Sequence, residues 1–140
     1  MCAEWGGEGL WPLLACEFTH AELPLLRHVV GVQAAQAGLV GVRWDDFVLA
    51  AHEGAVNAVG HGGGTGWIRM WRVDGLLCCE ISDDGPGLPD AGSDLERPAR
   101  PGLDGTGGRG LWLIRQLADE VAVSSGADGT RLRIAVRLTP

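Results

Sequence analysis

Residues 67–82 read Trp67-Ile68-Arg69-Met70-Trp71-Arg72-Val73-Asp74-Gly75-Leu76-Leu77-Cys78-Cys79-Glu80-Ile81-Ser82, and their reading decides the fold. Two apolar-rich runs, 67–73 and 76–82, are separated only by Asp74-Gly75, the two-residue turn that a hairpin favours. They are expected to be antiparallel strands. On the N-terminal side, residues 11–18 are expected as a short strand. Thr19-His20-Ala21-Glu22 then has the form of a capping box, and Pro24 is tolerable only in a first turn. The helix it opens should run to about Ala37, with Gly38 as its stop. A second helix is expected from Asp45 or Asp46 to about Gly60, ending in Gly62-Gly63-Gly64. On the C-terminal side a third helix should take residues 109 to about 118. Strands 120–125 and 130–138 follow, joined through Gly126-Ala127-Asp128-Gly129. Leu132, Ile134, Val136 and Leu138 alternate there with Arg131, Arg133 and Arg137, which buries one face and solvates the other. Helices and antiparallel strands come in blocks. The expected class is therefore α+β, a two-layer α/β sandwich whose mixed, mostly antiparallel sheet is covered on one face by about three helices.

A chain of 140 residues is one domain's worth. Residues 1–10 are Gly-rich and expected as a flexible N-terminus, leaving 11–140 as the domain. Hydrophobic residues make 46% and charged residues 21%, the composition of a soluble globular protein. Eleven basic residues against 18 acidic ones give −7, which argues against a module held to nucleic acid by phosphate neutralisation. All the basic residues are Arg. Without Lys there is no Walker A loop, no strand lysine of a eukaryotic-type kinase and no Schiff base. A nucleotide here would be handled by backbone amides, Arg and a metal. Cys2, Cys16, Cys78 and Cys79 lack metal-ligand spacing, and the adjacent pair should point to opposite faces of its strand as core fillers. No apolar run reaches membrane-spanning length and no signal pattern opens the chain, so a cytoplasmic protein is expected.

The second helix carries Glu53, Asn57 and His61 at i, i+4 and i+8, at about 0°, 40° and 80° on one stripe. Val48, Ala51, Ala55, Ala58 and Val59 fall on the opposite, core-facing side. Such a stripe reads either as a solvated face or as a site. Its low charge favours the second, because Glu53 is the only acidic residue after the first turn. An Asn oxygen can ligate Mg²⁺, and a carboxylate one turn away can accept a proton. Asp83-Asp84-Gly85-Pro86-Gly87 follows a strand end. It reads as a turn, or as a carboxylate placed to accept from an exocyclic amine, with glycines admitting a flat ring. Gly105-Thr106-Gly107-Gly108-Arg109-Gly110 opens the third helix, where free amides make an anion site. These glycines follow a loop rather than a strand, which excludes the Rossmann reading. Residues 83–108 show no period, and about 26 such residues within a compact domain mark a lid or binding loop.

Together these pieces resemble the GHKL (Bergerat-fold) ATP-binding domain of gyrase, histidine kinases and MutL. Glu53 and Asn57 match its N box, Asp83, Gly85 and Gly87 its first glycine box, Gly108 and Gly110 its second, and Gly129-Thr130 its last motif. Residues 52–62 and the run Gly108-Arg109-Gly110-Leu111-Trp112-Leu113-Ile114 look like the branch of small bacterial anti-sigma factor serine/threonine kinases. The resemblance implies that Asn57 binds Mg²⁺ and that Glu53 is the base acting on a substrate hydroxyl. It implies that Asp83 reads adenine with Thr130 supporting it through water. Gly108, Arg109, Gly110 and Leu111 would bind the phosphate end of ATP, and about 88–108 would be the ATP lid. The implied partners are a sigma factor and a STAS-domain anti-anti-sigma factor, and a homodimer is compatible with it.

Three functions compete. The first is a protein serine/threonine kinase that phosphorylates the anti-anti-sigma partner and so controls sigma-factor release. The second is a module of the same fold that binds ATP and partners without transfer. The third is the catalytic piece of a histidine kinase. His20-Ala21-Glu22-Leu23-Pro24-Leu25 matches a phosphoacceptor box only out of register. His20 and Glu53 are also just 33 positions apart, too few for a dimerisation hairpin. Glu53 discriminates between the first two and favours the kinase. Trp67 and Trp71 share a strand face and read as packing.

Overall fold

The computed structural model describes residues 12–61, 63–85 and 108–139. The expected flexible N-terminus and nearly all of the expected lid lie outside the described residues. The first element among the described residues is strand β1 (Leu14–Thr19), followed by a single 3-10 turn (His20–Glu22) and helices α1 (Leu23–Gln36) and α2 (Gly41–His61). The hairpin β2 (Thr65–Val73) and β3 (Leu76–Asp83) comes next, then α3 (Gly108–Leu117), β4 (Glu120–Gly126) and β5 (Gly129–Arg137). The five strands make one sheet in the order β1-β2-β3-β5-β4, and three helices pack on one of its faces. The α+β sandwich expected from the sequence is the architecture found. The sheet is not mixed, since all four pairings are antiparallel. β3 and β4 run in the same direction, but β5 lies between them and pairs antiparallel with both, so no parallel pair arises.

Several boundaries differ from the sequence reading, each for a local reason. The Thr19 amide donates to Glu22 Oε1 at 2.9 Å, but this closes the 3-10 turn rather than the α-helix. Were the α-helix to begin at His20, Pro24 would fall where an amide must bond back four residues. Starting at Leu23 puts Pro24 in the first turn instead. At the other end Leu39 N–H bonds Ala34 O and Gly38 N–H bonds Ala35 O, the paired closure of a Schellman stop with Gly38 at φ +110°. Leu39, the residue just beyond, is buried.

Helix α2 starts four residues earlier than Asp45. Tertiary contacts hold this first turn. The Trp44 indole donates to Gly31 O of α1 at 2.8 Å, and Arg43 donates to Asp119 Oδ2 at 2.8 Å. Asp119 also accepts the Arg137 amide at 2.7 Å, so one carboxylate ties α2 to the sheet end farthest along from Asp83.

The core lies between the helices and one sheet face. Phe18, Ile68, Met70, Leu77, Cys79, Ile81, Leu132 and Ile134 meet Leu26, Val30, Phe47, Ala51 and Ile114 there. Val48, Ala51, Ala55, Ala58 and Val59 are all buried, as the helical period requires. Gly54 sits among them because a Cβ would come within 2.7 Å of Leu132 Cδ2 and 2.8 Å of Ile81 Cδ1. Cys78 and Cys79 do point to opposite faces. Cys79 joins the main core, where burial raises its thiol pKa well above the ordinary value. Cys78 packs with Trp71 and Ala135 on the other face, its pKa pushed up to about 11 by burial, then by Glu120. Trp67 shares that face, and Glu80 lies there within 3.7 Å of both Arg69 and Arg131. Among the described residues no helix is long and apolar enough to cross a membrane.

Candidate nucleotide site

Strands β3 and β5 pair so that Asp83, the last residue of one, stands opposite Thr130 near the start of the other. Asp83 Oδ1 accepts the Thr130 amide at 3.3 Å and the Gly85 amide at 3.0 Å. The second bond spans two residues and turns the chain off the strand. Both bonds fall on one oxygen, so the carboxylate is oriented and Oδ2 is left to other partners. Gly129 permits this approach: its φ is +123°, and a Cβ would fall 2.0 Å from Asp83 O. Beyond Thr130 the next strand contributes Ser125, whose Oγ lies 2.8 Å from the Thr130 hydroxyl. Asp83, Thr130 and Ser125 thus form one polar row across three strands.

Helix α2 crosses above this row. On its polar stripe Glu53, Asn57 and His61 are each half-buried. The Asn57 carboxamide lies against Gly110 at the start of α3, where a Cβ would come within 2.7 Å of Nδ2. Asn57, Asp83, Leu111 and Thr130 all line a cavity of about 20 Å³, the size of one water. A wider, open cleft of about 520 Å³ at the same sheet end is also lined by Trp67, Ser82, Ser124 and Arg131, and so lies mainly on the sheet face away from the helices.

The structure therefore brings together Asn57, Asp83, Gly85, Gly110, Leu111 and Thr130. Gly108 begins α3, and the first amides of a helix have no partner within the helix itself. Gly87 and the side chain of Arg109 lie outside the described residues. Glu53 is one turn before Asn57 and does not line the small cavity. Leu111 presents its side chain to the main core, so its side chain is a packing group. The sequence reading missed Ser125. Its signal is the two-residue turn Ala127-Asp128, which sets Gly126 opposite Gly129 and hence Ser125 opposite Thr130.

Among the described residues no cluster of three or more His, Cys, Asp or Glu side chains forms a metal site. Asn57 can offer one oxygen, which suits a magnesium ion that draws its remaining ligands from phosphate oxygens and water.

A model of the histidine kinase-like ATPase domain matches residues 16–136, nearly the whole chain. The chain belongs to this family. It is a GHKL ATP-binding domain of the kinase type. Solved structures share the fold. Part of a Mycobacterium tuberculosis chain that comprises RsbU and RsbW domains superposes on this domain with a TM-score of 0.58 at 19% identity, covering 89% of this chain and 32% of that one. The mycobacterial sensor histidine kinase MprB gives 0.58 at 18% identity, covering 89% and 97%. The histidine kinase domain of a blue-light-activated kinase from Erythrobacter litoralis gives 0.56 at 21%, covering 91% and 66%. The domain thus spans about a third of the RsbU–RsbW chain and just under two thirds of the Erythrobacter one. No curated protein matches the sequence.

Proposed function

We propose that this domain binds Mg²⁺-ATP and transfers its γ-phosphate to a serine or threonine hydroxyl of a STAS-domain anti-anti-sigma partner, and thereby controls release of a sigma factor. The observation that carries the nucleotide reading is the anchored carboxylate. Two amides hold Asp83 Oδ1, so Oδ2 faces a ligand in a fixed direction and accepts from the exocyclic amine of adenine. Asn57 and the amides at the start of α3 then lie toward the phosphates. A magnesium ion on the Asn57 oxygen would neutralise phosphate charge, and the Gly108–Gly110 segment with Arg109 would add its helix-end dipole and guanidinium. This is how the site works without lysine.

The transfer reading rests on Glu53. Its carboxylate takes the hydroxyl proton of the acceptor, the hydroxyl oxygen bonds the γ-phosphorus, and ADP leaves with the bridging oxygen. The serine/threonine and sigma-factor parts are supported by the resemblance of residues 52–62 and 108–114 to the anti-sigma branch, and by the likeness to a chain that contains an RsbW domain.

The test is incubation with γ-labelled ATP, Mg²⁺ and STAS-domain proteins of the same organism, with Asp83→Asn alongside. The expected product is an acid-stable phosphoserine or phosphothreonine on the partner. Asp83→Asn should stay folded and lose ATP affinity roughly ten- to hundredfold, the worth of a charge-assisted hydrogen bond in a shielded pocket. Tight ATP binding with no transfer to any partner would favour the passive module, and an acid-labile product would favour a histidine kinase.

A further inference from the structure

The Thr130 hydroxyl is a rotor with one donor proton, and left alone it would sample several directions. Here it is not alone. Ser125 Oγ stands 2.8 Å from it on the paired strand. The turn between β4 and β5 has only two residues, and the ladder runs unbroken from Gly126 opposite Gly129 to Glu120 opposite Ala135. Ser125 is therefore held by strand pairing rather than by a mobile loop. With Ser125 donating to Thr130 Oγ1, the Thr130 proton is left for a ligand, and the row Asp83, Thr130, Ser125 presents a carboxylate acceptor beside a hydroxyl donor. Adenine presents the complement on its pairing edge, an amine donor beside the ring acceptor N1. Guanine presents the reverse, and its carbonyl oxygen would face the Asp83 carboxylate.

We infer that Ser125 is a positioning residue for base recognition: through its hydrogen bond it fixes the Thr130 hydroxyl that serves N1 of adenine, directly or through one water in the adjoining cavity. This rests on the reading of Asp83 as the adenine contact. Ser125 does not touch the base in this account. Its effect must therefore pass through N1, and that makes it separable from a role in holding the hairpin together.

The experiment measures Kd by calorimetry for ATP and for 1-deaza-ATP, which keeps the amine but lacks N1. The proteins are the wild type, Ser125→Ala, Ser125→Thr and Asp83→Asn. Ser125→Ala is expected to weaken ATP about three- to tenfold, the worth of one neutral hydrogen bond, with Ser125→Thr restoring affinity. For 1-deaza-ATP the wild type and Ser125→Ala should bind alike, because the acceptor served by the fixed hydroxyl is gone. An equal loss for both nucleotides would make Ser125 merely structural and overturn the inference. So would unchanged ATP affinity in Ser125→Ala while Asp83→Asn loses it. If Asp83→Asn also binds ATP as the wild type does, the adenine reading itself is wrong.

Discussion

A Cβ on Gly110 would lie 2.7 Å from Nδ2 and 3.1 Å from Oδ1 of Asn57, so α3 begins against the Asn57 carboxamide only because residue 110 is glycine. The clash in Gly110→Ala falls on the end of a side chain, which rotates away at little cost to the fold. Alanine also gains up to about 1 kcal/mol of helix propensity over glycine. Stability should therefore change by less than about 1 kcal/mol. The carboxamide, however, is displaced from its place beside the phosphates. Mg²⁺-ATP affinity should fall roughly tenfold or more, equivalent to at least about 1.4 kcal/mol. Thermal unfolding and calorimetry on the same sample check both halves, and full ATP affinity in the variant would detach Asn57 from the nucleotide.

Gly129→Ala differs in kind. There the Cβ meets the Asp83 backbone at 2.0 Å, and φ at +123° already disfavours any side chain. Backbone cannot swing aside as a carboxamide can. The variant should lose about 2 kcal/mol or more in urea denaturation, beyond the ordinary cost of strained backbone, and lose ATP binding with it. Wild-type stability would mean that β3 and β5 separate freely at this end.

At Gly54 the two influences oppose each other. Alanine gains helix propensity, but its methyl enters a closed core against Leu132 and Ile81 at 2.7 and 2.8 Å. Overpacking of this kind costs about 1–3 kcal/mol. Gly54→Ala should come out destabilised by about 1 kcal/mol in urea denaturation. A more stable variant would show that the core yields at this point.

These glycines also mark what could and could not be read in the chain beforehand. Period 3.6 placed Val48, Ala51, Ala55, Ala58 and Val59 inside, and the family resemblance joined Asp83 to Thr130, so the centre of the candidate site was legible. From helix rules alone Gly54 counts as a weakness in α2; its reason is a distance to β5 that no local pattern contains. The first turn of α2 was hidden likewise, because Gly41 and Val42 are poor helix openers and the turn is held by Trp44 and Arg43 reaching α1 and Asp119. Ser125 needed the register of a turn whose two central residues could not be told from a longer connection. Local preference was right wherever it sufficed, and it failed where tertiary contact decided.

Asp119 supplies a pH test of that tertiary fastening. Partial burial pushes its pKa up, but the Arg137 amide and the Arg43 guanidinium outweigh this and hold the carboxyl below its ordinary value. A depressed folded pKa means the unfolded chain binds the proton more readily. The contribution is therefore complete above the ordinary carboxylate pKa of about 3.9 and is lost as pH falls through the lower folded value. Asp119→Asn should cost about 0.5–1.5 kcal/mol at neutral pH, because solvent screens the lost charge and Arg43 keeps its bond to the Arg137 carbonyl. It should also flatten the acid limb of stability below about pH 4. Equal acid sensitivity in both proteins would place that limb in other carboxylates.

Glu53 separates the kinase from the passive binder. It stands one turn before Asn57, half-buried, outside the small cavity at Asp83. A base at that position reaches a hydroxyl set against the γ-phosphate without touching adenine. Glu53→Gln keeps the shape and hydrogen bonding of the side chain but cannot take a proton. ATP and partner binding should survive, while phosphate transfer falls by roughly 10²–10⁴, the usual worth of a positioned general base. Asp83→Asn should instead weaken binding and transfer together, so the two variants carry distinct signatures. Single-turnover transfer at saturating ATP isolates the chemical step. Equal rates for wild type and Glu53→Gln would leave the kinase standing but remove Glu53 from the role of base, because a group that accepts the reacting proton cannot be replaced by one that does not.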